Sequence, residues 1–286
     1  MNTGVEAFGN RLLGVSKEER ELAVELYESV RDLPIVSPHG HVDPAMLLNN
    51  QPFANPAELF IYHDHYVTRM LHAAGHSLAK LGKGDSTDPR AAWQILCENW
   101  HLLAGTSSGY WLTHEFATLF GIDETPTAEN AQAIYDSIDA QLREPRFLPR
   151  NLFAAFGIEV LATTDDPCDD LSAHQALAAD ASFSGRVIPT FRPDKYLDPR
   201  SAGWDDSVRT LIATAGLSGI SYPNFIDALE LRRAYFKEHG AVSADHGVFE
   251  PFTCVLGADQ ASVLFEKCLQ GTASASEKRD FAGHML

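Results

Sequence analysis

The chain has 286 residues, 45% of them hydrophobic and 21% charged, with 22 Lys and Arg against 39 Asp and Glu for a net charge of −17. That is enough chain for one large domain or two ordinary ones, and the acidic balance argues against a nucleic-acid binder, which neutralises phosphates with a basic surface. No stretch approaches the roughly 18 uninterrupted apolar residues of a membrane span.

The start, Met1 to Glu6, lacks the basic and apolar regions of a signal peptide. Cys97, Cys168, Cys254 and Cys268 form no C-x-x-C pair, so cytosolic free thiols are expected. A small anionic substrate is compatible with the acidic balance if a metal and an arginine make the site locally positive.

Residues 16–31 read as a helix, with Ser16 and Glu19 suited to a capping box and Leu22, Ala23, Leu26 and Val30 as an apolar stripe. The run Leu33 to Val36 reads as a buried strand that breaks at Ser37-Pro38 and delivers His39 and His41. Positions i and i+2 of an extended chain point the same way, and Gly40 lets the backbone come close to whatever they hold. Two converging neutral imidazoles are most of a divalent-metal site. Twelve histidines supply roughly 0.5 His-x-His pairs by chance, so the weight comes from the strand and the Pro/Gly frame. A polar loop with its histidines bonded to backbone is the alternative.

From about 44 to 150 there is hardly any strand signal. Helical patterns cover Pro56–Ala74, Asp88–Ala104, Tyr110–Phe120 and Ala128–Leu142, separated by Gly, Pro and Ser/Thr stretches. That is too long for an ordinary connection and reads as a helical subdomain. Beyond 150, strands at 157–164, 186–191 and 241–243 alternate with helices at 171–179, 207–215, 225–239 and 258–269, the pattern of βαβ units and a parallel sheet. Ligands sit at the carboxyl ends of such strands, where His39/His41, Asp165/Asp166, Arg192 and Asp245/His246 recur. Residues 274–286 read as a helix without a stop signal. About four strands are visible, fewer than a closed eight-stranded barrel needs.

The motifs together resemble the uronate isomerases (glucuronate/galacturonate isomerases) of the amidohydrolase superfamily over essentially the whole chain. They are Pro38-His39-Gly40-His41-Val42-Asp43-Pro44, His63-Asp64-His65-Tyr66, Ser108-Gly109-Tyr110-Trp111, Thr163-Thr164-Asp165-Asp166-Pro167, Thr190-Phe191-Arg192-Pro193-Asp194 and Ser243-Ala244-Asp245-His246-Gly247. The resemblance implies an α/β fold of the (β/α)8-barrel type, amidohydrolase-like, with a large helical insertion after the first strand. It implies a divalent metal, usually Zn2+, and a reaction interconverting glucuronate with fructuronate and galacturonate with tagaturonate. Family members are longer, and their C-terminal portion carries a metal-binding aspartate that acts as the proton-transfer base. The expectation is therefore an incomplete barrel and an impaired enzyme, in three parts: 1–43 with the first strand, 44–150 as the insertion, and 151–286 as βα units.

By the resemblance, His39 and His41 are the metal ligands, and His65 and Tyr66 are catalytic contacts, Tyr66 donating to an enediolate oxygen. His63 and His65, two apart on one predicted helix, point apart and make no second metal site. Arg192 carries a fork suited to the substrate's carboxylate; a salt bridge to Asp194 is the alternative. Asp165 and Asp166 are expected to orient ligands or sugar hydroxyls, or else to cap the following helix. Asp245 and His246 complete the substrate-binding set, and Trp111 and His114 are expected in the core. The expected partner is a small uronate, with no nucleic acid and no membrane, in a cytoplasmic protein, with a homo-oligomer as the further expectation. Two rival readings are a metal-dependent lactonase or amidase of the same superfamily, in which the metal makes hydroxide from water, and a non-catalytic fragment.

Overall fold

The structure is a computed structural model that describes residues 14–85 and 87–286. In chain order it holds α1 (Lys17–Val30), β1 (Ile35–Ser37), α2 (Pro44–Asn49), α3 (His65–Ala73), α4 (Pro89–Glu98), α5 (Ser107–Phe120), α6 (Ala131–Leu142) and α7 (Pro149–Ala155). It continues with β2 (Ile158–Ala162), α8 (Ser172–Ala179), β3 (Arg186–Ile188), α9 (Asp194–Leu197), α10 (Trp204–Thr214), α11 (Tyr222–Glu238), α12 (Ala258–Leu269) and α13 (Ala275–Met285). Short 3-10 turns at Leu78–Leu81, Trp100–Leu103 and Pro145–Phe147 lie between helices. Among the described residues no helix is long and apolar enough to cross a membrane.

The chain divides into two compact units: a helical one of the described residues to Pro34 with Asn50–Gly157, and a sheet unit of Ile35–Asn49 with Ile158–Leu286. These divisions fall elsewhere than the residue 43/44 and 150/151 boundaries read from sequence, for local reasons. α2 packs against α8 of the sheet unit, while Phe147 is buried in the core of the helical unit with Leu152 of α7 packed against it.

In the helical unit, Phe60, Trp93, Phe116, Phe120, Ile138 and Leu142 are buried together. Phe60 meets Phe116 edge-on at 5.2 Å, a favoured aromatic geometry, and the Trp93 indole N–H donates to the Ala131 carbonyl at 2.9 Å, so the buried ring leaves no polar atom unsatisfied. The helix expected over Pro56–Ala74 is broken. Glu58–Tyr62 is a π-helical turn ending at His63, and α3 restarts at His65. The restart is set by Asp64, whose Oδ1 accepts from the Tyr66 and Val67 amides at 2.7 and 3.1 Å as an N-cap. Trp111, expected in the core, is 52% exposed. On α1 the Ser16/Glu19 capping box is formed, but the apolar stripe is not buried.

In the sheet unit the strands are parallel in the order β1-β2-β3, with Val36 beside Val160 and Leu161 beside Val187. β1 is not the buried strand expected: Ile35 and Val36 are 47% and 61% exposed, because this edge strand has one neighbour, β2. The strand expected at 241–243 does not form either; a single bridge joins Phe191 to Ala244. The unit's core lies among the later helices, where Tyr196, Trp204, Phe225, Phe265 and Phe281 are buried together. All four cysteines are free thiols, and burial pushes Cys97 up to about 12 and Cys268 up to about 11, leaving both protonated and unreactive.

Candidate active site

β1, β2 and β3 run parallel, so their carboxyl ends deliver polar loops to one side of the sheet. After β1 the chain bends at Pro38 and passes through His39 and His41 without regular secondary structure, and Thr164 beyond β2 ties this loop down by donating to the Gly40 carbonyl at 2.8 Å. Gly40 packs closely there: a Cβ would stand 3.3 Å from the Ala162 carbonyl. The two rings meet edge to face, with centroids 4.9 Å apart and planes at 86°, and their Nε2 atoms lie 3.2 Å apart.

After β3, Arg192 reaches two carboxylates, with Nε 2.7 Å from Asp194 and Nη1 2.9 Å from Asp245. Asp194 is a hub, also accepting from the Gly247 amide at 2.8 Å and standing 3.8 Å from His246 Nδ1. Asp245 links this group to the histidines: its Oδ2 is 3.7 Å from His39 Nδ1. That oxygen is buried and makes no well-aligned hydrogen bond despite its nearness to the guanidinium. Gly247 permits this close packing, since a Cβ there would come within 2.6 Å of Arg192 Nη2 and 3.0 Å of Asp194 Oδ2. Thus His39, His41, Arg192, Asp194, Asp245 and His246 form one connected group.

Asp165 and Asp166 are engaged differently. Asp165 is buried, its Oδ2 accepting from the Thr163 hydroxyl at 2.7 Å and the Thr190 amide at 3.1 Å. Asp166 is held by Lys195 Nζ and the Tyr196 hydroxyl, both at 2.5 Å, and by the Cys168 amide at 2.9 Å. Burial, with the hydrogen bond to Asp166, pushes the Tyr196 hydroxyl well above its ordinary range, so it remains a donor. His65 and Tyr66 begin α3 in the helical unit, with their rings 4.4 Å apart and Tyr66 exposed. Sequence reasoning passed over Thr163, His174, Thr190, Lys195 and Tyr196. Thr163 and Thr190 carried a signal, as the residues that open the Thr163-Thr164-Asp165-Asp166 and Thr190-Phe191-Arg192 motifs at strand ends, but neither was given a role.

The histidine pair fits a shared ion. A metal bonded to two imidazole nitrogens at roughly 2.0–2.1 Å with a near-tetrahedral angle holds them roughly 3.3 Å apart, and the observed spacing is 3.2 Å. Among the described residues no group of three or more His, Cys, Asp or Glu converges on one point. The donor set the described residues supply is therefore the imidazole pair.

Comparison with known proteins gives a consistent result. Residues 16–286 match the glucuronate isomerase family. The chain is 45% identical over 284 residues to the uronate isomerase of Corynebacterium efficiens, covering 98% of this chain and 61% of that protein. It is 44% identical to the uronate isomerase of Cutibacterium acnes, covering 97% of this chain and 60% of that one. The crystal structure of glucuronate isomerase from Caulobacter crescentus superposes with a TM-score of 0.90 at 36% identity, over 96% of this chain and 58% of the other. The uronate isomerase of Thermotoga maritima gives 0.84 at 28% identity, over 93% and 58%. The chain thus spans about 60% of the length of the curated relatives it matches. The fold is α/β of the (β/α)8-barrel type, with the helical insertion following the first strand, and the chain belongs to the glucuronate isomerase family.

Proposed function

We propose that this chain carries the metal-binding and carboxylate-binding part of a hexuronate isomerase site, for D-glucuronate with D-fructuronate and D-galacturonate with D-tagaturonate. The observation that carries the reading is the 3.2 Å approach of His39 and His41 Nε2, linked through Asp245 to Arg192. A divalent metal such as Zn2+ held by the two histidines supplies polarisation of the substrate's carbonyl and hydroxyl oxygens, which acidifies the neighbouring C–H. Arg192 supplies the positive charge that an anionic sugar needs in a protein of net charge −17. Its Nε and Nη1 face Asp194 and Asp245, and Nη2 packs beside Gly247, so a substrate carboxylate would share the guanidinium with these two carboxylates. His65 and Tyr66 are assigned to the substrate on the strength of their motif.

Calorimetric titration of D-glucuronate into the zinc-loaded chain tests this reading. Saturable binding is expected, with Arg192→Lys weakening it by about 10-fold or more, because losing a charge-assisted hydrogen bond costs roughly 1.5–3 kcal/mol and an ammonium cannot serve Asp194, Asp245 and a substrate carboxylate with the guanidinium's planar geometry. Equal binding of D-glucose, which has no carboxylate, would refute the assignment of Arg192.

Turnover is a separate matter. Moving a proton between neighbouring carbons requires a base within about 2.6–3.2 Å, or one water away. Asp165, Asp166, Asp194 and Asp245 each face the donors or cations named above. The 286-residue chain is therefore proposed to turn over D-glucuronate at well below about 1 s⁻¹, and a proton-NMR time course showing ordinary enzyme rates would contradict this.

A further inference from the structure

Next to the arginine cluster lies a second polar group that the chemistry above does not use. Thr163, Asp165, His174 and Thr190 are each buried, at 1%, 7%, 4% and 2% exposure. Asp165 is their centre. Besides the two bonds to its Oδ2, its backbone N–H donates to the Thr190 carbonyl at 3.0 Å and its carbonyl accepts from the Arg192 amide at 3.1 Å. One residue back, the Phe191 amide donates to the Ser243 carbonyl at 3.3 Å, and the Phe191 carbonyl accepts from the Asp245 amide at 3.1 Å. The backbones of Arg192 and Asp245 are thus hung from the segment that Asp165 organises.

His174 enters this group from α8. Its Nε2 lies 2.8 Å from the Thr163 hydroxyl and 3.7 Å from Asp165 Oδ1. A threonine hydroxyl has one proton to give and lone pairs to accept with. Thr163 has two acceptors besides the histidine, Asp165 Oδ2 at 2.7 Å and the Ile188 carbonyl at 3.2 Å. The shorter, charge-assisted bond to the carboxylate takes the proton. His174 Nε2 must then be the donor. Its Nδ1 is buried with no partner, so a proton there would be a buried donor without an acceptor, which is costly. Hydrogen-bond bookkeeping leaves one species, the neutral ring protonated on Nε2.

We propose that His174 is a positioning residue: its Nε2–H, relayed through the Thr163 hydroxyl, holds Asp165 in the rotamer that fixes the backbones of Arg192 and Asp245 at the strand ends. The meaning of this for substrate rests on the hexuronate reading; the relay itself does not, and its readouts need no substrate.

Two measurements on the full 286-residue chain test it. In ¹⁵N-histidine NMR at pH 7.5, with the His174 signals identified by their loss in His174→Gln, the wild-type ring is expected to show a protonated Nε2 and a bare Nδ1. A proton on Nδ1 overturns the relay. In hydrogen–deuterium exchange, His174→Leu, which keeps bulk without a donor, is expected to speed the Thr190, Arg192 and Asp245 amides by about 10-fold or more. His174→Gln, which restores a donor near the Nε2 position, is expected to stay within about 3-fold of wild type, and the Leu211 amide is expected to be unmoved in both. Equal effects of Leu and Gln would make packing the cause and overturn the proposal, as would no effect of Leu. Should the His174 variants not fold, Thr163→Val against Thr163→Ser puts the same question, and unchanged exchange in Thr163→Val overturns it. Loss of D-glucuronate binding by the wild-type chain would sink the hexuronate reading and leave these exchange results standing.

Discussion

Alanine at both His39 and His41 is expected to weaken zinc binding by more than about 100-fold, measured at pH 7.5 by competition with a chromophoric chelator. Removing groups that merely orient a ligand costs about 10–100-fold, and these two side chains are the ligands themselves. The geometry also predicts how the single variants behave. The two Nε2 atoms face one point 3.2 Å apart, so neither imidazole makes a site alone, and each single alanine should lose most of what the double variant loses. His63→Ala is the control. His63 caps the π-helical turn and His65 opens the next helix, so the two histidines sit on different elements. Unchanged zinc affinity in the double variant would move the metal elsewhere.

The second large effect is a pH dependence inside the helical unit. Burial, reinforced by the nearby Asp64 charge, pushes the Glu115 carboxyl from its ordinary 4.5 up to about 7. A carboxyl raised in the folded state binds its proton more tightly folded than unfolded. Its contribution to stability is therefore greatest below pH 4.5 and is lost as pH rises through 7. A shift of that size corresponds to about 3 kcal/mol. Glu115→Gln, neutral at every pH, is expected to raise the thermal midpoint at pH 8 and to change it little at pH 4.5, followed by circular dichroism. Part of the gain at pH 8 comes from Asp64, which is relieved of a like charge while capping the helix that begins with His65 and Tyr66. Identical midpoints at pH 8 would show that Glu115 ionises there without cost.

Much of this architecture was legible from residues alone where local chemistry decides it. Ser16 with Glu19 closes a capping box, and residues 258–269 form a helix over the range their pattern gives. The His39-Gly40-His41 spacing reads as two rings on one side of the chain, and the two Nε2 atoms do come within 3.2 Å, though in a loop past a bend at Pro38 rather than on a strand. What could not be read depends on distant neighbours. Leu33–Val36 looks like a buried strand by composition, yet its exposure depends on how many strands flank it. Ala241-Val242-Ser243 has strand-like residues, but the only bridge nearby among the described residues is at the next residue, Ala244 with Phe191. Trp111 carries an apolar ring whose exposure on α5 no local rule fixes. The site divides in the same way. Arg192 stands out after a strand, and its Asp194 partner is two residues away. That Asp245 is its second carboxylate required the fold, as did the capture of Asp166 by Lys195 and Tyr196. His174 shows the limit most clearly. In sequence it is a lone histidine on a short helix, and its partner Thr163 is eleven residues away across a βα turn.

The most direct test of the central claim is anomalous diffraction at the zinc edge from crystals of this chain soaked with zinc and D-glucuronate. One zinc peak is expected, roughly 2.0–2.1 Å from Nε2 of both His39 and His41, with the sugar's carboxylate on the Arg192 guanidinium. A peak that avoids the two imidazoles, or a uronate whose carboxylate lies away from Arg192, would contradict it.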